Sequence, residues 1–287
     1  MMQLSREQLY EITSEYKKGN MNNYDKIYYR KIEGLRRTGI IYAYTQEELI
    51  EYSKCATDVI YFIEKYCTIQ KRNIRLYNFQ IDIINKYKDF KFNAVKNSRQ
   101  SGLSLIMSLL ALHELLFSVD NTIVVIANKQ ACGIEIMDKI RNFYIELPFF
   151  LKAGVVSSDK TKLRLENGNR IVLISSTTGA IGFQIHKLFI QDFAYFNNKF
   201  SVDLLHSIFP CISAIRNSKL FIQSSGRSEY FDQIITNGER MEGDPLKNNF
   251  MVTKVHWWQI PNRDEDWAKQ QIKTIGKELF DQEYDLL

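Results

Sequence analysis

An α/β fold built on a mostly parallel sheet is the class this sequence predicts, and three observations predict it. From residue 77 onward short β-branched segments alternate with longer amphipathic ones, the rhythm of a parallel sheet with helices on both sides. Runs such as TIVVIA are apolar throughout, as strands covered on both faces must be. A polar, glycine-bearing loop joins one such run to an apolar helical stretch in NAVKNSRQSGLSLIMSLLALHELLF, residues 93–117.

The elements follow in chain order. Residues 1–70 read as a helical N-terminal region. Within it QEELIEYSKCATDVIYFIEKYC (46–67) places Ile50, Val59, Ile60 and Ile63 at helical spacing. Thr45 stands ahead of Glu47 and Glu48, a helix start with acids in its first turn. Residues 71–287 read as the α/β domain, opening on a helix over 78–90. Strands are expected over 92–97, 122–128, 170–176, 187–193 and 219–226, and helices over 103–117, 130–147 and 202–215. In TKLRLENGNRIVLIS (161–175), Asn167-Gly168 between two alternating runs signals an inserted β-hairpin. KLFIQ occurs at 187–191 and again at 219–223, but the flanks differ. Two buried strands share composition without being a repeat.

Composition narrows the function. With 45% hydrophobic and 25% charged residues the chain is of ordinary globular type. The longest apolar run, 103–117, is interrupted by Ser104, Ser108, His113 and Glu114 and is too short to span a bilayer. The N-terminus lacks the apolar core of a signal peptide, so a cytosolic location is expected. Cys55, Cys67, Cys132 and Cys211 form no C-x-x-C pair, and the four histidines form no metal-binding motif. A net charge of +5 permits contact with nucleic acid without demanding it. RKIEGLRR (30–37) and KRNIR (71–75) are candidate phosphate contacts and read equally well as solvated faces.

The chemistry sits at strand ends, where open parallel sheets bind their ligands. N-S-R-Q-S-G-L-S (97–104) has the outline of the phosphate-binding loop G-x-x-x-x-G-K-[ST]. Gly102 and Ser104 fit; Asn97 stands at the first glycine and Leu103 at the lysine. Two further expected strands run out at Gln191-Asp192 and at Ser224-Ser225-Gly226. In a P-loop ATPase these three places are the phosphate loop, the Walker B acids and a coupling motif.

These stretches, with YFIEKYC (61–67), LYNFQIDII (76–84), ANKQACGIEIMDKIR (127–141), KLRLENGNRIVLISSTTGAIGF (162–183), FIQDFAYF (189–196), IQSSGR (222–227) and WWQIPNRDEDW (257–267), resemble the ATPase domain of the terminase large subunit of tailed phages. The resemblance covers roughly residues 55–287. It implies a P-loop NTPase fold of the ASCE or RecA-like type, ATP and Mg²⁺ as cofactors, and double-stranded DNA as the packaged partner. Tyr77 and Gln80 would recognise adenine. Lys96, Ser98, Arg99, Gln100, Ser101, Gly102, Leu103 and Ser104 would line the nucleotide site, with backbone amides of 99–104 cradling phosphates. Ser104 and Asp192 would hold Mg²⁺, Asp192 and Arg99 would be catalytic, and Ser224, Ser225 and Gly226 would couple hydrolysis to movement. Implied partners are a portal and small terminase or a competent terminase subunit, in a ring homo-oligomer away from membranes. The implied location is the cytoplasm of an infected bacterium.

Departures from the family pattern matter as much. Leu103 removes the charge that meets the β- and γ-phosphates, leaving Lys96 or Arg99 to replace it in part. Gln191-Asp192 stands where the family has Asp-Glu. Ala180-Ile181-Gly182 lacks the family's basic residue. Removing one preorganised group typically costs on the order of a hundredfold in rate, so impaired or lost hydrolysis is expected. The resemblance stops at DQEYDLL, so no nuclease domain is expected, and Asp281, Glu283 and Asp285 read as a solvated tail. Two further readings stay open: a non-enzymatic pseudo-ATPase that partners or regulates a motor, and a helicase-like DNA translocase.

Overall fold

The computed structural model describes residues 2–4, 7, 8, 11, 14, 24–174 and 184–286. It divides into two compact units, each assembled from separate stretches. The first is Met1–Arg75, Ser108–Asn121 and Met137–Val172; the second is Leu76–Met107, Thr122–Ile136 and Leu173–Leu287.

In chain order the structure begins with β1 (Met2–Leu4), β2 (Ile40–Tyr42), α1 (Gln46–Thr57), α2 (Val59–Tyr66), β3 (Thr68–Ile69) and β4 (Arg72–Asn73). There follow α3 (Asn78–Asp89), β5 (Phe92–Asn97), α4 (Leu103–Phe117), β6 (Thr122–Ala127), α5 (Gln130–Glu146), β7 (Val155–Ser158), β8 (Lys162–Leu165) and β9 (Arg170–Ile174). Then come β10 (Lys187–Gln191), α6 (Asn198–Ala214), β11 (Lys219–Ser224), α7 (Glu229–Gly238), β12 (Phe250–Val255) and α8 (Glu265–Ile275).

The main sheet has the order β12-β5-β11-β10-β6-β9-β8-β7. Pairings from β12 to β6 are all parallel, and β7, β8 and β9 pair antiparallel. The fold is α/β with a mostly parallel sheet flanked by helices, as the alternation predicts. The expected hairpin is β8–β9, to which β7 adds a strand that the sequence did not announce. The two KLFIQ segments lie side by side in register, from Lys187 against Lys219 to Gln191 against Gln223. Both are central strands buried from the leucine onward, which explains their shared composition.

Local departures have local causes. The helix expected over 46–67 is two, because the Asp58 carboxylate accepts the Tyr61 N–H at 2.9 Å and caps α2. The strand expected over 187–193 stops at Gln191, where Asp192 turns to φ 56°. The N-terminal stretch expected as helical also contributes β1–β2 and β3, whose partner β4 lies just past it. β12 is not among the expected strands, although FMVTKV is rich in the residues that favour them. Ala180-Ile181-Gly182 lies outside the described residues. No helix among those described is long and apolar enough to cross a membrane.

Candidate nucleotide-binding site

Every residue of the site belongs to the second unit. β5, buried along its whole length, delivers the chain to the loop. There Gln100 and Gly102 take left-handed backbone angles, φ 58° and 79°. The left-handed angle at Gly102 calls for glycine, and a Cβ there would lie 2.9 Å from the end of the Gln80 side chain. Asn97 explains how the first glycine can be absent: its Nδ2 donates to Ser98 O and Ser101 Oγ, both at 3.0 Å, bracing the loop from within. Gln80 Nε2 donates to Ser101 O at 3.3 Å, while its Oε1 accepts the Tyr77 N–H at 3.1 Å. The start of α3 is thereby tied to the loop. Half-exposed Tyr77 lines a groove of about 470 Å³ with Leu76, Asn78, Phe79, Gln259 and Pro261.

The charges around the loop are arranged in a way the sequence did not reveal. Leu103 is only 2% exposed and joins the apolar interior at the head of α4. Lys96 is already paired: its Nζ is 2.9 Å from Asp232 on α7. Arg99 Nη1 donates to Glu283 Oε2 at 2.7 Å, and the Arg99 N–H donates to Glu283 O at 3.0 Å. Arg263 Nη1 donates to Ser98 Oγ at 3.1 Å and Arg99 O at 3.0 Å, its guanidinium lying 4.7 Å from the Trp267 ring centre.

Sequence reasoning does not single out Asp232 or Arg263, and its solvated-tail reading of the C-terminal acids is corrected. Glu283 is paired, Asp285 accepts the Trp257 Nε1–H at 3.2 Å, and Asp281 forms an ion pair with Lys277 at 2.9 Å. Nearby Phe280 and Tyr284 supply the reason: they pack on Trp257 and Trp267 and draw the acids inward. Aromatic residues interleaved with the acids were the available signal.

The far wall is built at the ends of β10 and β11. Gln191 Nε2 donates to Ser104 Oγ at 2.8 Å, and Gln191 Oε1 is buried without a hydrogen-bond partner. Burial raises the Asp192 carboxyl above its ordinary range, opposed by the amides of Gln191 and Gln223 and by the Arg99 charge. Ser224 Oγ accepts the N–H groups of Ala194 and Gly226, each at 3.2 Å, so one hydroxyl joins the turn after Asp192 to the turn after β11. A Cβ on Gly226 would come within 2.8 Å of the Tyr195 ring. Among the described residues no three His, Cys, Asp or Glu side chains cluster as a metal site.

No protein-family model matches the chain. Solved structures do match it. The ATPase domain of the Thermus phage P74-26 large terminase aligns at 18% identity over 74% of this chain and 93% of that one, with a TM-score of 0.61. The large terminase of bacteriophage HK97 aligns at 18% identity over 80% of this chain and 54% of that one, with a TM-score of 0.63. The fold is that of phage large-terminase ATPase domains. A third such structure, the large terminase of a thermophilic bacteriophage in complex with ADP, aligns at 10% identity over 74% of this chain and 53% of that one, with a TM-score of 0.53.

On this terminase-type fold the residues named from sequence fall into three groups. Tyr77, Gln80, Ser98, Arg99, Gln100, Ser101, Gly102 and Ser104 gather on or beside the loop, with Gln191 bonded to Ser104. Ser224 and Gly226 sit against the turn that follows Asp192, and Ser225 is buried beside them. Leu103 and Lys96 turn elsewhere, one into the core and one to Asp232.

Proposed function

We propose that this chain is a terminase large subunit-like module of viral double-stranded DNA packaging that binds ATP and hydrolyses it poorly or not at all. One observation carries the reading. The loop keeps its left-handed turns and its internal bracing while the position of the phosphate-gripping lysine is a leucine packed in the core. Geometry for an anion is retained, and the charge that stabilises phosphoryl transfer is not.

Binding draws on what remains. Loop amides between Arg99 and Ser104 would receive the phosphates at the N-terminus of α4. Tyr77, in the groove ahead of the loop, would face the adenine, with Gln80 fixing the approach. The donor set fits Mg²⁺, which accepts oxygen ligands and keeps several waters. Ser104 Oγ at the start of α4 and the orphaned Gln191 Oε1 and Asp192 carboxylate at the end of β10 are the oxygens available. Mg²⁺ held there would neutralise phosphate charge. Asp192 would orient the attacking water and Arg99 would meet the γ-phosphate. Gln191 supplies no charge to the metal, and this favours a second reading, a pseudo-ATPase that acts as the binding or regulatory partner of a competent motor.

DNA, a portal and small terminase, and a ring of like subunits are the proposed partners, consistent with the mild positive charge. Thermal melting with Mg-ATP tests the binding step. Nucleotide at about 100 times its dissociation constant should add roughly 2.7 kcal/mol of stability. No shift at millimolar nucleotide, and none in Leu103→Lys, would remove nucleotide binding from the account.

A further inference from the structure

Arg99 already holds an anion, and that anion belongs to the chain itself. Glu283 engages it twice, side chain to side chain at 2.7 Å and Arg99 N–H to Glu283 O at 3.0 Å. A carboxylate and a backbone acceptor thus occupy an arginine and an amide of a loop shaped for phosphate. Arg263, from the same C-terminal part of the chain, holds the opposite side of this backbone through Ser98 Oγ and Arg99 O. The segment Asp281–Asp285 is in turn held by Trp257 Nε1 on Asp285 and by Tyr284, which sits edge-on to Trp267 at 5.3 Å.

The geometry points to Glu283 as a built-in competitor: the segment Asp281–Asp285 covers the phosphate loop, and a phosphate-class anion must displace Glu283 from Arg99 to bind. The inference rests on the nucleotide-binding reading, because it takes the loop to be an anion site. Charge and shape support the exchange. The Glu283 side chain is 12% exposed and the Arg99 side chain 57% exposed. Arg99 therefore remains accessible to an incoming anion, while its present partner is sheltered. On its arginine side the pair is open to water, where ion pairs are weak enough to be exchanged, and the sheltered carboxylate leaves with its segment. Three tryptophans are all the chain has, and Trp257, Trp258 and Trp267 all lie in the stretch that supports the segment. Displacement therefore has an intrinsic optical reporter.

Calorimetry and tryptophan emission, recorded on the whole chain during titration with inorganic pyrophosphate, test this. Glu283→Gln should tighten pyrophosphate by about threefold to tenfold, the range a weak, partly sheltered ion pair spans. Wild-type emission should move on binding, toward the value Glu283→Gln shows without ligand. Asp281→Asn, which cuts only the Lys277 pair, should leave the affinity unchanged, and Arg99→Gln should weaken it. Should Glu283→Gln fail to fold, Glu283→Asp, one methylene shorter, should give a smaller tightening. Equal pyrophosphate affinity in the wild type and the Glu283 variant, or binding without any change in emission, overturns the competitor and leaves nucleotide binding standing. Failure of both proteins to bind pyrophosphate overturns both.

Discussion

Lys96 and Arg99 leave the same strand end three residues apart, and their partners could hardly differ more. Lys96 pairs with Asp232 where the two side chains are 8% and 28% exposed; Arg99 pairs with Glu283 from a side chain 57% exposed. A buried ammonium must keep its carboxylate, since removing one partner strands a charge away from water. A half-exposed guanidinium loses little by exchanging one anion for another. Of the two cations that sequence reasoning offers as stand-ins for the missing lysine, one is fixed in the scaffold and one is free to exchange its anion.

That contrast can be broken by experiment. Asp232→Asn should cost the most, about 3 kcal/mol in urea unfolding, because it leaves Lys96 uncompensated. A cost below about 1 kcal/mol would mean that Lys96 can reach solvent or the loop after all.

Lys152, in the first unit, sharpens the rule from another side. Its Nζ donates to Gly34 O at 2.9 Å and Ile145 O at 2.7 Å, and burial pushes it down to about 7. Two carbonyls match the two N–H bonds of a neutral amine. Above pH 7 the unfolded chain holds this proton while the folded chain has released it, so stability rises with pH, by up to about 1.4 kcal/mol per unit. Below pH 7 both states are protonated and the gain is gone. Unfolding free energies of wild type and Lys152→Met between pH 7 and 9 should diverge accordingly; parallel curves would show an amine with ordinary solvation.

Gly226→Ala should cost about 1 kcal/mol, because the methyl meets the outer edge of the half-exposed Tyr195 ring and displaces it. Combining it with Tyr195→Ala should recover part of that loss, and strict additivity would deny the contact. Glu283→Gln should cost the least stability, under about 1 kcal/mol in the same assay, because the arginine it leaves behind is half-exposed.

Much of this was legible because it is local. The run from Phe92 to Phe117 gave strand, loop and helix at their observed limits, since periodicity and a glycine at the turn act over a few residues. The Asn167-Gly168 hairpin was readable for the same reason. The partners of the loop were not. Asp232 reaches Lys96 at the strand end from 136 residues away, and Arg263 and Glu283 reach the loop from 165 and 184. No local pattern states which distant acid a lysine will choose. Leu103 shows the boundary well: sequence exposes the lost charge, and only packing shows where the side chain went.

Steady-state ATP hydrolysis by the wild type, with and without double-stranded DNA, tests the central claim most directly when read beside Leu103→Lys. The expected result is binding of Mg-ATP with turnover near background in the wild type, DNA or not, and at most a partial gain in the variant. Brisk hydrolysis by the wild type that DNA stimulates further would contradict it.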